Sequence, residues 1–414
     1  MTDTTLVEAA EPAEQAPQWP MKRDTGCPFD PPPGVRRLLA QDPISKARIW
    51  DGSTPWIIAR HTDQRSLLSD PRVSHDGIRD GFPHISADFK FLSAAQPSFA
   101  GQDDPEHGRI RRMVTVPFTA RRIEALRPAI QKITDELIDG MLAGPKPVDL
   151  VEALALPLPV RVICEMLGVP YEDREFLQRN NNAMIYRDTA QGDAQNAAIA
   201  QTVYLKELVG TKLVERGDDI FSDLAVQVEI GEITQDDAAG IGMMLLGAGH
   251  ETTANMIALG TLALLENPEQ LTVVRESDDP KVIANTVEEL LRYLTIAQDT
   301  VRRVAAEDIE LGGVVIKAGD GIVFPLNAAN WDPDVYPDTP DRLDIHRGNA
   351  RRHLAFGYGV HQCLGATLAR VELQIVYSTL LRRIPTLALA TTIDQLPFKY
   401  DQIAHGVYEL PITW

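Results

Sequence analysis

The sequence predicts a mainly α-helical protein, built as one large unit with a few short β-segments. Helical periodicity recurs over residues 123–142, 151–167 and 233–266, where apolar side chains lie three and four positions apart. Runs of β-forming residues are short by contrast, as in Trp56–Ile58 and Val314–Ile316. No linker-like stretch divides the 414 residues beyond the first thirty, so we expect a single domain.

The first twenty residues predict a disordered tail, because they are rich in Thr, Glu, Ala and Pro and poor in large apolar groups. The folded domain should then extend over residues 21–414. Asp and Glu number 59 and Lys and Arg number 40, which gives a net charge of −19. Nucleic-acid binding and membrane-surface binding both favour a basic excess, so this composition argues against either.

Cysteine usage and the lack of targeting signals predict a cytoplasmic protein. The chain has only three cysteines, and this small, odd number does not indicate a disulfide framework. Few cysteines without disulfides are typical of a protein in a reducing compartment. The N-terminus has no basic-then-apolar signal pattern. No apolar run approaches the roughly 20 residues that a membrane-spanning helix needs.

A basic cluster follows a predicted helix start at Asp104–Pro105. Asp is a favoured cap, and Pro is accepted at the first helical position. His107 and Arg111 lie four residues apart and share one face of this helix, with Arg109 and Arg112 beside them. Taken alone, these residues indicate no more than a solvated basic face.

Residues 174–217 predict two helices in which no side chain identifies a ligand. Residues 233–266 predict a long central helix, capped by Thr234. Two features in the middle of this helix are unfavourable for a helix. Three glycines interrupt it, and each destabilises a helix by roughly 1 kcal/mol relative to Ala. Glu251 also places a carboxylate in an otherwise apolar stretch. When local rules fail together inside one element, a functional site is the favoured explanation. The alternative is helix packing at the glycines with Glu251 in a salt bridge. The glycines are Gly242, Gly247 and Gly249.

Asp279–Pro280 predicts the start of the next helix, on which Glu289 and Arg292 lie three residues apart and face the same way. An exposed pair of this kind contributes only about 0.5 kcal/mol. The pair therefore carries little weight unless it is buried.

The most distinctive stretch surrounds Cys363. It begins as irregular backbone, in which Gly357 and Gly359 allow positive φ and the close approach of a flat, bulky group. From Leu364 onward apolar residues recur with helical spacing. Cys363 therefore lies just before or at a helix N-terminus, which favours a thiolate over a thiol. A thiolate in this setting suits the axial position of a metal in a planar macrocycle.

Two simpler interpretations of the same stretch compete with a metal site. Cys363 could be a small buried hydrophobe, as a lone cysteine usually is. The glycines could belong to an ordinary loop or to a false dinucleotide-binding motif, although no buried strand leads into them.

Two motifs resemble those of cytochrome P-450 enzymes. Phe356-Gly357-x-Gly359-x-His361-x-Cys363-x-Gly365 is similar, position for position, to the haem-binding loop of that family. Ala248-Gly249-x-Glu251-Thr252 resembles its oxygen-activation motif, where the central helix loosens over the haem. The resemblance covers the chain from about residue 28 to its end, with the motifs in the family's order. It implies the mainly helical cytochrome P-450 fold with small β-sheets on one side.

A third motif resembles the Glu-x-x-Arg pair of the family. There it is a buried structural pair that is completed by an arginine upstream of the haem loop. Glu289 and Arg292 match the pair, and Arg342 and Arg347 are both candidates for the third member. The pattern Leu343-Asp344-x-x-Arg347 resembles soluble bacterial members and favours Arg347.

The resemblance implies roles for individual residues. Cys363 would ligate the iron of haem b, and Phe356 would shield the sulfur. Glu251 and Thr252 would relay protons to dioxygen during catalysis. The two histidines and the two arginines among the implied cofactor-binding residues would neutralise the haem propionates. The full implied set is His107, Arg111, Arg303, His353, Phe356, Gly357, Cys363 and Gly365.

Three segments are implied to form the substrate pocket. Residues 74–100 would cover it, and residues 296–298 and 402–407 would line it. The expected reaction is hydroxylation of an unactivated C–H bond in a bulky apolar molecule: a macrolide, a statin-like polyketide, a sterol or secosteroid, or a xenobiotic. Such reactions are typical of actinomycete-type hydroxylases.

Electrons are expected from a ferredoxin and an NAD(P)H–ferredoxin reductase, because the chain has no flavin or iron–sulfur motif. The protein itself is expected to be a monomer. Ferredoxins are acidic, so docking on this acidic chain would need a local basic patch. The candidates are Arg109, Arg112, Arg351, Arg352 and Arg370, which could also be merely solvated.

Two other classes of function compete with the enzyme. A haem-binding sensor or carrier would bind the cofactor without turnover. A thiol enzyme without haem would be colourless. The sequence does not identify the substrate, because fold resemblance does not fix specificity.

Overall fold

The computed structural model describes residues 16–95, 99–185, 191–298, 300–400 and 402–414, and α-helices dominate these ranges. The helices are α1 (Pro33–Gln41), α2 (His61–Leu68), α3 (Ala87–Ala95), α4 (Glu106–Thr115), α5 (Ala120–Ala143), α6 (Pro157–Leu167), α7 (Arg174–Ile185), α8 (Gln191–Val214), α9 (Ile220–Glu229), α10 (Gln235–Leu265), α11 (Pro268–Glu276), α12 (Pro280–Leu294), α13 (Leu326–Ala329) and α14 (Ala366–Arg383). The prediction of a mainly helical fold is confirmed.

Short strands form three small sheets among the described residues. The strands are β1 (Ile44–Lys46), β2 (Trp56–Ile58), β3 (Val73–Ser74), β4 (Val148–Asp149), β5 (Arg302–Ala305), β6 (Ile309–Leu311), β7 (Val314–Ile316), β8 (Gly321–Val323), β9 (Ala388–Leu389) and β10 (Pro411–Thr413). The sheets have the orders β1-β2-β8-β5-β3, β4-β10-β9 and β6-β7. Only the β2–β8 pairing is parallel in these sheets.

The long central helix α10 begins as the sequence predicts. The side chain of Thr234 accepts a hydrogen bond from the Asp237 amide (3.1 Å), and the Asp237 carboxylate accepts one from the Thr234 amide (2.8 Å). This reciprocal arrangement satisfies two amides that the first turn leaves without partners. The helix then runs without interruption to Leu265.

Two hydrophobic cores meet along α10 and α14. The C-terminal half of α10, including Ile257 and Leu262, packs with α12 in one core. Its N-terminal half, including Ile241 and Leu246, packs with α6 and α9 in the other. Residues 247–252 lie between the cores, and several of them face open space rather than packed side chains. The middle of α10 is therefore available to form one wall of a site.

Gly242 and Gly247 of α10 have different surroundings. A Cβ at Gly242 would overlap the ring of Phe221 on α9, so this glycine allows close helix packing, as the alternative interpretation proposed. A Cβ at Gly247 would meet nothing within 4 Å. Close packing therefore explains Gly242 and leaves Gly247 unexplained.

Glu289 and Arg292 are fully buried on α12 and form an ion pair with Nε···Oε2 at 2.7 Å. Arg347 completes the cluster, because its Nε lies 3.1 Å from Oε1 of Glu289. Arg342 contributes only its carbonyl, which accepts hydrogen bonds from both arginines. The sequence-based preference for Arg347 is confirmed.

The predicted tail over residues 1–20 falls largely outside the described residues. Within them, Trp19 is only 4% exposed and its amide donates to the carbonyl of Arg48 at 2.8 Å. The packed chain thus begins before the predicted boundary at residue 21. None of the described helices has both the length and the apolar character of a membrane-spanning segment.

Candidate active site

A cavity of about 400 Å³ lies between the middle of α10 and the loop that precedes α14. Its walls are mainly apolar. They include Phe99, Ile163, Leu245, Met256, Leu291 and Leu373. The polar groups that interrupt this lining are therefore the candidates for chemistry.

Cys363 lies on the wall opposite α10. Its amide donates to the Phe356 carbonyl at 2.9 Å, which closes the loop on itself. Gly357 (φ +68°) and Gly359 (φ +76°) have positive φ, as the sequence predicts for this loop. Helix α14 begins at Ala366, three residues beyond the sulfur, and Gly365 occupies its N-cap position. The prediction of a cysteine just before a helix N-terminus is confirmed.

The predicted preference for a thiolate is not present in the protein alone. Burial by the surrounding chain raises the pKa of the Cys363 thiol, although the Gly365 amide, Arg111 and Arg370 act to lower it. The accessible surface of this side chain faces the cavity, so it is open to a ligand and yet surrounded by protein. A thiolate at Cys363 would therefore need a positively charged partner such as a metal.

Basic side chains from four distant segments meet at one end of the cavity. The rings of His107 and His361 are 4.0 Å apart between centroids, and those of His75 and His361 are 4.6 Å apart. Arg111 and Arg303 line the same cavity, and Arg111 also donates to the Gln362 carbonyl at 2.5 Å. The structure thus brings together three of the predicted residues and adds His75 and His361.

Two histidines of this cluster, His75 and His107, have ring nitrogens that lack hydrogen-bond partners within the described part of the chain. Neither ring nitrogen of His107 has one among the described residues, and its Nδ1 lies 3.5 Å from Asp104, too far for a good bond. Burial, more than neighbouring charge, lowers the pKa of His107, and it lowers that of Arg303 to about 10. Buried donors without partners are unfavourable. The cluster is therefore complementary to an anionic ligand.

His353 is not part of this cluster, contrary to the prediction. Its Nε2 lies 3.0 Å from Oε2 of Glu288, and its Nδ1 accepts a hydrogen bond from the Ala355 amide at 3.1 Å. Both nitrogens are therefore engaged behind the loop, and His353 does not belong to the described residues that line the cavity. His361, in the same loop, occupies the position that the prediction assigned to His353.

Phe356, Gly357 and Gly365, for which the resemblance implied a role in cofactor binding, line the cavity beside Cys363. The guanidinium of Arg370 lies 4.6 Å from the centre of the Phe356 ring, on which it stacks. A Cβ at Gly357 would meet no atom within 4 Å, so the loop leaves open space there.

On the opposite wall, Thr252 faces the cavity and its hydroxyl donates to the Ala248 carbonyl at 2.8 Å. The helix remains continuous at this point, so the loosening that the resemblance implied is not observed. Glu251 turns away and forms an ion pair with Lys399 (3.3 Å). The salt bridge proposed as the alternative interpretation is therefore present, beside a threonine that faces open space.

The predicted pocket segments contribute unequally. His75, Phe99 and Ala100 from residues 74–100 line the cavity; residues 96–98 lie outside the described ranges. Ile296 and Ala297 line it as well, whereas Gln298 accepts a hydrogen bond from Arg23 at 2.5 Å. The described residues that line the cavity include none from the turn at 402–407. Ala404 of this turn instead forms a β-bridge with Ala297, which does line the cavity.

The residues present fit a haem. A metal held in a macrocycle needs only one protein ligand, and Cys363 is a lone donor: among the described residues we find no group of three or more metal-ligating side chains. Apolar walls, open space over Gly357 and unpartnered basic groups at one end suit a flat, apolar ring with two carboxylates.

Sequence reasoning missed four residues of the site. His361 was present in the quoted motif but received no role, and His75 lies in an irregular stretch. Lys399 lies far along the chain from its partner. Glu372 lines the cavity from α14 and is 1% exposed; only its apolar setting, between Val371 and Leu373, could have indicated an unusual carboxyl.

A family model described as Cytochrome P450 matches residues 218–388. Cytochrome P450 GfsF of Streptomyces halstedii is 89% identical over all of both chains, and its crystal structure superposes with a TM-score of 0.94 over 96% of this chain and 100% of that one.

Two further relatives carry more specific names. The 20-oxo-5-O-mycaminosyltylactone 23-monooxygenase of Streptomyces fradiae is 40% identical over 96% of this chain and 92% of its own length. The mycinamicin VIII C21 methyl hydroxylase MycCI of Micromonospora griseorubida, solved with mycinamicin VIII bound, is 39% identical, with a TM-score of 0.87 over 96% of this chain and 100% of that one.

Proposed function

The chain belongs to the cytochrome P450 family, and from this premise we propose that it is a haem b monooxygenase that hydroxylates an unactivated C–H bond of a macrolide. A monooxygenase adds one atom of dioxygen to its substrate and reduces the other to water, with two electrons and two protons. Membership of this family favours the enzyme over the non-catalytic carrier and over the thiol enzyme without haem.

The observation that carries the proposal is the placement of Cys363 and Thr252 on opposite walls of one apolar cavity. Haem b, when bound through the Cys363 thiolate, supplies dioxygen activation, because the thiolate donates electron density that favours O–O cleavage. The apolar walls would exclude water and orient the C–H bond that reacts.

The basic cluster would bind the two propionates. His107, Arg111 and Arg303 keep the role that the sequence predicted, and His361 takes the place of His353. His107 supports this most directly, because neither of its nitrogens has a hydrogen-bond partner within the described chain and its one ionic neighbour, Asp104, is 3.5 Å away. Charge-assisted hydrogen bonds to the propionates would satisfy these donors.

Glu251 and Thr252 would carry protons from solvent to the cavity. Thr252 lies on the cavity wall, and Glu251 on the neighbouring face of α10 is partly exposed. A hydroxyl can both accept and donate a proton, so Thr252 can pass one on without becoming charged. In a Thr252→Ala variant, we expect electrons to be lost to hydrogen peroxide while the substrate still binds.

The macrolide assignment rests on the two relatives whose names state such substrates and on the apolar lining of the cavity. Purified protein titrated with mycinamicin VIII, and in parallel with a statin-like polyketide, a secosteroid and a sulfonylurea, should shift its iron spin state most with the macrolide. A larger shift with another class would reassign the substrate.

The cofactor has its own test. The reduced protein should give the carbon monoxide spectrum of a haem-thiolate, and Cys363→Ala should lose it. An unchanged spectrum in that variant would refute the role of Cys363 and the proposed function with it.

A ferredoxin and its NAD(P)H-dependent reductase are the proposed electron donors. Arg112 and Arg352 are exposed and available for docking, and Arg351 is exposed with a loose 3.7 Å ion pair to Glu288. Arg109 and Arg370 are already paired, with Glu106 and Glu288, and are weaker candidates. Raising the ionic strength should slow reduction, because surface charges are screened; a rate independent of salt would argue against this patch.

A further inference from the structure

The carboxylate of Glu251 is held by a lysine from a distant part of the chain. Lys399 lies 148 residues further on, in the segment between β9 and β10, and its Nζ is 3.3 Å from Oε1 of Glu251. The Lys399 side chain is 5% exposed and that of Glu251 is 21% exposed. The ammonium also lies 5.4 Å from the centre of the Tyr408 ring, within range of a cation–π interaction. The ion pair is thus well shielded on the lysine side.

The backbone around Lys399 is fixed against α10 and against the pocket wall. The Lys399 amide donates to the Gly406 carbonyl at 2.8 Å. Gly406 packs so closely on Asn255, one turn beyond Glu251, that a Cβ there would overlap the Asn255 side chain. Ala404 pairs with Ala297, which lines the cavity. The position of the ammonium is therefore set by the same contacts that hold the pocket together.

Glu251 and Thr252 point in different directions. Consecutive helical residues are about 100° apart around the axis. Thr252 lines the cavity, whereas Glu251 is absent from the described residues of its wall and reaches partly to solvent. A proton taken up by Glu251 in this position cannot reach the cavity until the carboxyl group moves.

We propose that Lys399 is a positioning residue, which anchors the Glu251 carboxylate on the solvent side of α10 between proton transfers. When the carboxylate accepts a proton from solvent it loses its negative charge, and its attraction to the ammonium weakens. The neutral carboxyl group can then turn towards Thr252 and give the proton to the cavity. The carboxylate that remains returns to Lys399, so the charge balance of the pair is restored after each proton.

His250 does not compete with Lys399 for the carboxylate. Burial lowers the pKa of His250 to about 4, with a smaller contribution from Lys399 itself, so its ring is neutral near pH 7. Its nitrogens are engaged by Asn181 (2.5 Å) and by the Leu156 carbonyl (3.1 Å). Among the described residues, Lys399 is therefore the cation that pairs with Glu251.

The proposal rests on the proposed proton-relay role of Glu251 and Thr252, and replacement of Lys399 tests it. With NADPH, ferredoxin and reductase, and mycinamicin VIII as the probe, Lys399→Met should form roughly tenfold less product per NADPH and more hydrogen peroxide. Lys399→Arg should restore at least half of the product. When hydrogen peroxide replaces dioxygen, NADPH and the electron donors, it brings the protons with it, so Lys399→Met should then match the unaltered protein.

Lys212→Met is the matched control. Lys212, in the last turn of α8, forms a similarly shielded pair with Asp219, which caps α9 (2.6 Å; side chains 13% and 6% exposed), and neither residue belongs to the described lining of the cavity. The Lys212→Met variant should lower the midpoint of urea unfolding and leave the amount of product formed per NADPH unchanged. Unfolding of Lys399→Met, Glu251→Gln and the double variant measures the pair without turnover, and the double variant should lose less than the sum of the single losses.

Two results would overturn the proposal. One is normal product per NADPH in Lys399→Met, which would leave Lys399 a structural residue like Lys212. The other is an equal loss with hydrogen peroxide, which would indicate a damaged pocket. If Lys399→Met does not fold, Lys399→Gln takes its place, with the same outcomes. These results differ from the result expected if the proposed function itself were wrong, because the unaltered protein would then form no product.

Discussion

Buried charged side chains around α12 and on the cavity walls are partnered in opposite ways. On α12, Glu289 lies between Arg292 and Arg347, and Glu288 accepts hydrogen bonds from Arg370 and bonds to His353. On the cavity walls, His107 has no hydrogen-bond partner for either nitrogen within the described chain. Glu372 is buried there with no ion pair to any described residue.

The two buried carboxyl groups Glu288 and Glu372 make the contrast measurable. Burial alone would raise the pKa of Glu288, but hydrogen bonds from His353 and Arg370 lower it to about 2. Burial raises the pKa of Glu372 to about 8, with nothing to oppose it. Charges that the chain satisfies by itself hold the architecture, whereas those it leaves unsatisfied mark the surface that a ligand completes.

The largest loss of stability is expected at Glu289, whose buried ion pairs with Arg292 and Arg347 are complete. Glu289→Gln leaves Arg292 and Arg347 buried without a counter-charge, which should lower the free energy of unfolding by about 3–5 kcal/mol. Urea unfolding measures the loss. Arg342→Ala is the matched control, because that side chain is exposed and only its carbonyl takes part; it should leave the unfolding midpoint unchanged. An equal loss in both variants would contradict the assignment of Arg347 as the third member.

The next effect concerns Glu372 and depends on pH. Between about pH 4.5 and 8 this carboxyl group is protonated in the folded protein and ionised in the unfolded one. The unfolded state then binds fewer protons, so the free energy of unfolding falls as pH rises, by up to about 1.4 kcal/mol per pH unit. Glu372→Gln should remove this slope and stabilise the protein by up to about 3 kcal/mol at pH 7.

Glu288→Gln is the opposite control for the pH series. Its lowered pKa contributes stability above about pH 4.5 that is lost as pH falls towards 2. Its loss should therefore flatten the acid limb and leave the slope between pH 7 and 8 unchanged; nearer pH 6 the variant also alters His353, whose pKa Glu288 acts to raise. A Glu372→Gln variant with the slope of the unaltered protein would show that this carboxyl group is ionised in the fold.

The partnered region was the more predictable of the two. Glu289 and Arg292 lie three residues apart, the cap of α10 uses Thr234 and Asp237, and the cysteine loop is one continuous motif. Each depends on spacing within a few residues, which a sequence shows directly. The resemblance to a family then supplied the third member, Arg347, from two candidates.

The unsatisfied region could not be read from spacing. His75, His107 and His361 come from three separate segments and meet only in the folded chain. Two histidines flank the glycines of the cysteine loop, and the sequence does not say which one faces the cavity. The positive φ values of Gly357 and Gly359 turn the backbone so that His361 faces it and His353 reaches Glu288 behind it. Lys399 meets Glu251 across 148 residues.

At Arg303 a substitution should weaken haem binding without destabilising the haem-free protein. Arg303→Met removes a buried cation whose pKa burial lowers to about 10, so the haem-free protein should lose no stability and should gain some. Loss of a charge-assisted hydrogen bond to a propionate should weaken haem binding roughly 10- to 100-fold. Transfer of haem to apomyoglobin measures this. Arg72→Met, which disrupts a partly exposed pair with Asp70, should change neither. Tight haem retention in Arg303→Met would place the propionates elsewhere.

The last effect concerns the backbone at Gly357, on the cavity side of the contrast. Gly357 (φ +68°) and Gly231 (φ +80°) share a left-handed backbone, and a Cβ at either would meet no protein atom within 4 Å. Alanine at either position should lower the unfolding free energy of the haem-free protein by the same amount, about 1–2 kcal/mol. Only Gly357→Ala should also weaken haem binding, because its methyl group would enter space that the chain leaves open beside Cys363. Equal haem retention in both variants would show that the cofactor does not lie against this loop.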